Sequence, residues 1–264
     1  MAMTANRILT LLTDFGLTDV YVGVMKGAIA AINRDIQVID LTHDIAPQDV
    51  AAARFNLMNA YSYFPAGTVH VAVVDPGVGS QRRGVAVAFD GGWLVGPDNG
   101  LLSGVLSQRP AIAAVALTNP DYWRSPVASA TFHGRDIFAP VGAHLASGVP
   151  LSALGCPVDP ATLSALALAP YHVTDTGLEG CIQHIDRFGN LITNIPNDQV
   201  KDRTWAIALG RLRIPGCTTY SDIELQQPLA LPGSHGWVEV AVNGGDAHFQ
   251  LRLNWGDRIQ IVLQ

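Results

Sequence analysis

The chain has 264 residues, 48% of them hydrophobic and 14% charged, and its 22 acidic against 16 basic residues leave a formal charge of −6. Enough apolar surface is available to bury a large core, so a disordered chain is excluded, as is the basic footprint of a protein that binds nucleic acid or an anionic membrane. Three cysteines, Cys156, Cys181 and Cys217, are odd in number and form no C-x-x-C pair, which excludes an even disulfide framework and makes a reducing, cytoplasmic location the default.

Residues 8–13 read as a buried strand, and this apolar run is far too short for a signal-peptide core or a spanning helix. Apolar residues at helical spacing predict a helix over 20–32, a second strand over 37–41 and an Ala-rich helix over 49–61. Strands follow at 68–74 and 85–89, and Asp90-Gly91-Gly92 ahead of Trp93-Leu94-Val95 signals a hairpin. Residues 137–147 suit a helix after Arg135-Asp136. The expectation is an α/β N-terminal domain over residues 1–160 with a mostly parallel sheet.

Between 151 and 170 the chain turns to Pro, Ala, Leu and Ser without periodicity, which places a linker there. Beyond it, β-prone segments at 180–185, 191–195, 205–214, 236–242 and 258–263 are separated by Gly, Pro or Asn clusters. They predict a small antiparallel β-barrel or sandwich as the C-terminal domain, residues 171–264.

Several fragments invite false matches. Asp14-Phe15-Gly16 and His133-Gly134-Arg135-Asp136 resemble pieces of a protein kinase in the wrong order, with no strand lysine or glycine-rich loop around them. Gly77-Val78-Gly79-Ser80-Gln81-Arg82 begins like a dinucleotide fingerprint but has Arg82 in place of the third glycine. The eight histidines show no metal-ligand spacing, so no metal site is expected.

What remains are polar residues at strand ends, where α/β sheets bind ligands. Asp14 follows the first strand and Asp75 the third. Alone, Asp75-Pro76-Gly77 reads as a type II turn, His133 as a capping or packing residue, and Arg135 with Asp136 as a structural ion pair. Arg82, seven positions after Asp75, is placed to return across the glycine-rich loop and hold that carboxylate ionised.

Five motifs occur in one order: Leu12-Thr13-Asp14-Phe15-Gly16-Leu17-Thr18-Asp19, Val74-Asp75-Pro76-Gly77-Val78-Gly79, Gly96-Pro97-Asp98-Asn99-Gly100, Phe132-His133-Gly134-Arg135-Asp136, and residues 185–195 from Ile185-Asp186-Arg187-Phe188-Gly189-Asn190 onward. Together they span the chain and resemble the S-adenosylmethionine (SAM) hydroxide adenosyltransferase family, adenosine-forming SAM hydrolases related to the fluorinase and chlorinase. The resemblance implies an α/β domain followed by a β-barrel, and a homotrimer with active sites between one subunit's N-terminal domain and its neighbour's C-terminal domain. It also implies that SAM is substrate, with no cofactor, and that water attacks the ribose C5′ carbon to give adenosine and L-methionine. The family's catalytic triad falls on Asp75, Arg82 and His133, with Asp75 accepting or orienting the water proton while Arg82 and His133 fix it and stabilise hydroxide character.

The same resemblance gives Asp14 the ribose hydroxyls, Asp186 the methionine ammonium and Phe188 the purine face. Asn190 takes the adenine or the amino-acid end, Ser234 the methionine carboxylate, Glu239 an ammonium or amine, and Val242 main-chain contacts to the adenine edge. His235 stands where the halogenases carry arginine. Two other readings use the same pocket: a SAM-dependent halide transferase, and a non-catalytic SAM or adenosine sensor. Halide transfer is disfavoured because the halogenases lack the triad, and because the 85–89 strand runs directly through Gly91-Gly92 without the fluorinase's extra loop. The motifs are the same for either sulfonium epimer of the substrate.

Overall fold

A computed structural model describes residues 7–263. Contacts divide the chain into two compact units, with the boundary between Leu166 and Ala167.

The first unit contains β1 (Ile8–Thr13), α1 (Tyr21–Ile32), β2 (Gln37–Thr42), α2 (Val50–Ala60), β3 (Thr68–Val73), β4 (Gly84–Phe89), β5 (Gly92–Pro97), α3 (Ser103–Gln108), β6 (Ala111–Ala116), α4 (Ala139–Ala146) and β7 (Cys156–Val158). Its strands form one sheet in the order β2-β1-β3-β5-β4-β6-β7. The pairings β2-β1, β1-β3 and β3-β5 are parallel; β4 pairs antiparallel with β5 and β6, and β6 with β7. Side chains alternate across a strand, and β1 and β3 serve two cores in this way. Leu9, Leu11, Val69, Val71 and Val73 pack with Met25 and Ile29 of α1 and Val141 of α4. Leu12 and Ala72 face the other way, with Ala53 and Leu57 of α2 and Val105 of α3.

The helix expected over 137–147 starts earlier, as a π-helical turn at Gly134–Phe138 that runs into α4. Pro140 has no N–H to give the carbonyl of Asp136, four residues before it. That carbonyl accepts instead from the Arg124 N–H at 2.9 Å, so it is not orphaned by the irregular turn directly after His133. At Gly142 a Cβ would come within 2.5 Å of Val71, which explains how closely α4 lies on β3.

His70 on β3 is 1% exposed and shares a 2.8 Å hydrogen bond between Nδ1 and the Thr10 hydroxyl; burial pushes its pKa down to about 4. A histidine held below its unfolded value stabilises the fold above pH ~6.5, and that stability is lost as pH falls toward the folded value. Urea titrations at about pH 7.5 and 4.5 should show the wild type losing roughly 2–3 kcal/mol more than His70→Asn, which keeps a polar group for Thr10 but does not titrate. Equal losses in the two proteins would exclude this origin for acid sensitivity.

The second unit contains β8 (His172–Thr174), β9 (Gly177–Ile185), β10 (Leu191–Pro196), β11 (Trp205–Leu209), β12 (Leu212–Pro215), β13 (Pro228–Pro232), β14 (Trp237–Val242), α5 (Ala247–Leu251) and β15 (Arg258–Leu263). The antiparallel order is β12-β11-β15-β9-β10-β14-β13, with β8 beside β9. A bridge between Gly216 and Ala230, with the Cys217 N–H donating to the Ala230 carbonyl at 2.7 Å, draws the two edges into a nearly closed barrel. Segment 205–214, expected as one strand, is two, because Gly210 takes φ +58 and reverses the chain. Among the described residues no helix is long and apolar enough to cross a membrane.

Candidate active site

Asp75 lies just past the end of β3, a central parallel strand, at the edge where such sheets bind ligands. The loop that follows is tied to itself: the Val78 N–H donates to the Asp75 carbonyl at 3.1 Å, and the Ser80 N–H and hydroxyl donate to the Gly77 carbonyl at 3.1 and 2.7 Å. The positive φ, +76, falls on Gly79 and not on Gly77, so the turn is not the expected type II form. A Cβ on Gly79 would stand 2.4 Å from the Ala130 carbonyl, so only glycine lets this loop lie against the segment leading to His133.

The loop returns Arg82 to Asp75. Arg82 Nε donates to Asp75 Oδ1 at 3.0 Å and Nη2 to Oδ2 at 2.5 Å; Nη2 also lies 3.0 Å from His133 Nδ1. The Arg82 and Asp75 side chains are only 9% and 5% exposed, and the guanidinium carbon sits 5.4 Å from the centre of the Phe138 ring. Because a guanidinium only donates, His133 Nδ1 must accept, and the neutral ring carries its proton on Nε2. Burial, reinforced by the Arg82 cation, holds His133 below its ordinary 6.5. Burial pushes Asp75 above its ordinary 3.8, opposed by Arg82 and by the backbone hydrogen bond from Gly77.

A cavity of about 630 Å³ opens above this cluster, lined among others by Asp14, Phe15, Gln48, Asp75, Phe132 and His133. Arg82 is not part of the lining and grips Asp75 and His133 from behind. Phe15, Tyr21 and Phe132 meet edge to face, with ring centres 5.4–6.0 Å apart, and give the cavity an aromatic wall. Asp14 Oδ2 accepts from the Gln48 N–H at 2.8 Å. Beside it Leu17 and Val20 are 69% and 72% exposed.

Behind the cluster, motif 96–100 acts as scaffold. Asn99 Nδ2 donates to the Val74 carbonyl at 2.9 Å, and Asp98 accepts from Arg83 at 2.6 Å and from the Ser164 N–H at 2.7 Å. Arg135 and Asp136 pair with each other at 2.7 and 2.8 Å, while the Ser129 N–H donates to Asp136 at 2.9 Å. Sequence reasoning gave Asn99 no task, since an amide that satisfies a strand-end carbonyl leaves no pattern.

In the second unit, Asp186, Phe188 and Asn190 share the β9–β10 loop. Asp186 Oδ1 accepts from the Phe188 and Asn190 N–H groups at 2.8 and 2.9 Å, and Oδ2 from Asn190 Nδ2 at 2.9 Å. This network rigidifies the loop and leaves Phe188 76% exposed. Ser234 is exposed between β13 and β14. Glu239 is buried and already engaged, accepting from the Tyr220 hydroxyl at 2.5 Å and facing His235 Nε2 at 3.0 Å. His235 Nδ1 accepts from the Trp237 N–H at 3.2 Å, which puts the ring proton on Nε2, toward Glu239. Burial, with Glu239, raises the Tyr220 hydroxyl well above its ordinary value. Val242 is buried and its carbonyl accepts from the Gly245 N–H at 3.0 Å. Among the described residues no group of three or more His, Cys, Asp or Glu is placed to hold a metal ion.

The fold, a mixed α/β sheet followed by a β-barrel, is shared with solved structures. A Thermotoga maritima protein described as an uncharacterized conserved protein matches with TM-score 0.88 and 35% identity, covering 96% of this chain and 99% of that one. Residues 9–155 match the SAM hydroxide adenosyltransferase N-terminal domain and residues 180–260 its C-terminal domain. The chain belongs to the SAM hydroxide adenosyltransferase family. It is 42% identical to the (R)-S-adenosyl-L-methionine hydrolase of Thermus thermophilus (95% of this chain, 98% of the relative). Identity to the enzyme of that name from Salinispora tropica is 40% (94% and 95%). A fluorinase from an Actinoplanes species is more distant, at 27% identity over 97% of each chain.

Proposed function

We propose that this protein is an enzyme that hydrolyses (R)-S-adenosyl-L-methionine at the ribose C5′ carbon, giving adenosine and L-methionine. The observation that carries this reading is the Asp75–Arg82–His133 cluster at the wall of the cavity, together with relatives at 33–42% identity that are named hydrolases of this substrate. A sulfonium is already a good leaving group, so the protein's work is to place a water in line and remove its proton. Water oxygen forms the bond to C5′, the C5′–S pair leaves with methionine sulfur, and the water proton passes to Asp75 and then to solvent. His133 is a poor acceptor, because Arg82 occupies Nδ1 and Nε2 carries a proton; it serves as donor to the attacking oxygen while Asp75 is the base. A buried carboxylate lining the cavity repels halide, which favours water as nucleophile. No cofactor is called for by this chemistry.

In this reading Asp14 holds the ribose hydroxyls, Phe188 stacks on the purine, and Asn190, Asp186, Ser234 and the Val242 main chain meet the adenine and methionine ends. Glu239, engaged by Tyr220 and His235, supports the loop that carries Ser234. The assembly is a homotrimer in which a neighbouring copy's C-terminal domain completes the site; Leu17 and Val20, exposed in the stretch between the lining residues Phe15 and Tyr21, offer apolar surface for such a contact. Light scattering should then report three times the chain mass. A cytoplasmic location fits the three free cysteines.

The separated epimers test the substrate: (R)-SAM should be consumed faster than (S)-SAM, with adenosine and methionine released in equal amounts, and faster turnover of the (S) form would reverse the assignment. The pH profile tests the site. Asp75 must be ionised and His133 neutral, so kcat/KM should fall on acidification, and because burial holds Asp75 above its ordinary value the fall should be under way before pH 3.8 is reached. Full activity persisting down to pH 3.8 would contradict the role given to Asp75.

A further inference from the structure

Asp14 sits in a turn that a second loop grips at three points. The imidazole Nδ1 of His43 is 2.8 Å from the Thr13 hydroxyl, the Gly16 N–H donates to the His43 carbonyl at 2.8 Å, and the Gln48 N–H donates to Asp14 Oδ2 at 2.8 Å. Gln48 takes φ +68 to do so, a conformation unfavourable for a residue with a side chain and held here by its surroundings.

His43 is the centre of this mount. Its side chain is 2% exposed and its Nε2 lies 3.1 Å from Asp40 Oδ1, short of hydrogen-bond geometry but close enough for the carboxylate to attract the dipole of a ring N–H. Asp40 is anchored on its other oxygen by Lys26 of α1 at 2.7 Å. The tautomer with its proton on Nε2, toward the carboxylate, leaves Nδ1 to accept the Thr13 hydroxyl hydrogen. Thr13 Oγ1 in turn accepts from the Phe15 N–H at 3.2 Å. The chain of contacts thus runs from Lys26 through Asp40, His43 and Thr13 to the backbone on the far side of Asp14. A buried imidazole costs desolvation that a leucine would avoid, and a packing role alone does not call for it.

We propose that His43 is a positioning residue for Asp14, acting through Thr13 and Asp40 to set how tightly the ribose diol is held. The inference rests on the reading that Asp14 binds the ribose. Calorimetry on the full chain with adenosine and 2′-deoxyadenosine separates the two. If Asp14 binds the ribose, Asp14→Ala weakens adenosine more than 2′-deoxyadenosine; an unchanged preference would overturn that reading and the inference with it. If His43 acts through Asp14, His43→Ala and the milder Thr13→Val each weaken adenosine about tenfold and 2′-deoxyadenosine less than about threefold. His43→Asn, whose amide oxygen occupies the Nδ1 position, restores most of the adenosine affinity. In the Asp14→Ala background the His43→Ala effect shrinks below about twofold. Equal losses for both nucleosides, or full additivity with Asp14→Ala, would leave the ribose reading standing and overturn the role of His43.

Discussion

Asp75→Ala is expected to lower kcat by about a thousandfold or more while KM for (R)-SAM changes by less than about threefold. The split follows from the geometry. Asp75 lines the cavity at the end of β3 but is proposed to act on the attacking water, whereas substrate binding is proposed for Asp14 and for the C-terminal domain of a neighbouring copy. A general base contributes in the transition state, so its loss should appear in kcat and in kcat/KM together. Stopped turnover with unchanged binding is the signature. A KM raised in step with a preserved kcat would make Asp75 a binding residue and remove the base from the account.

Arg82→Ala is expected to be as damaging to turnover and more damaging to the fold. It removes both hydrogen bonds to Asp75 and the donor to His133 Nδ1 in one step, leaving a carboxylate only 5% exposed without its countercharge. Breaking a buried pair from one side costs about 3–5 kcal/mol, seen in a urea titration. The double variant Asp75→Ala/Arg82→Ala should recover part of that loss, because no charge then stays buried alone. Arg82→Lys should not restore activity: an ammonium is a single point and does not reproduce a fork that reaches two carboxylate oxygens and an imidazole. Wild-type rates in Arg82→Lys would show that the charge alone matters, and full additivity of the two alanine variants would show that the pair is not energetically joined.

The parts of the fold that could be read in advance are those where local pattern and tertiary context agree. β1 spans Ile8–Thr13 and β15 spans Arg258–Leu263 because predominantly apolar, β-prone segments following polar ones leave little choice of boundary. The Asp49 cap of α2, accepting from the Ala52 N–H at 2.8 Å, is likewise local chemistry. β6 was illegible for the opposite reason: Ala111–Ala116 is mostly alanine, which favours helix, and only pairing with β4 and β7 makes it a strand. The π-helical turn after His133 depends on a carbonyl finding its partner in Arg124, twelve residues earlier than Asp136, and no window around the helix contains that information.

The site divides in the same way. Asp14 and Asp75 are visible as polar residues following apolar strands, and Arg82 as a cation on the far side of a glycine-rich turn. His133 is 51 positions from Arg82, and its contact is a product of how α4 lies on β3; only the ordered motifs pointed to it. Tyr220, which donates to Glu239 from 19 positions away, carries no local mark either. Its hydroxyl changes Glu239 from an open carboxylate into a satisfied one, a distinction that residue type alone does not make.

Identification of the nucleoside formed from (R)-SAM in ¹⁸O-labelled water containing chloride is the most direct test of the central claim. The account predicts adenosine with the label in its 5′-hydroxyl, formed at the same rate with and without chloride. A 5′-chlorinated nucleoside, or adenosine whose 5′-oxygen carries no label, would contradict it.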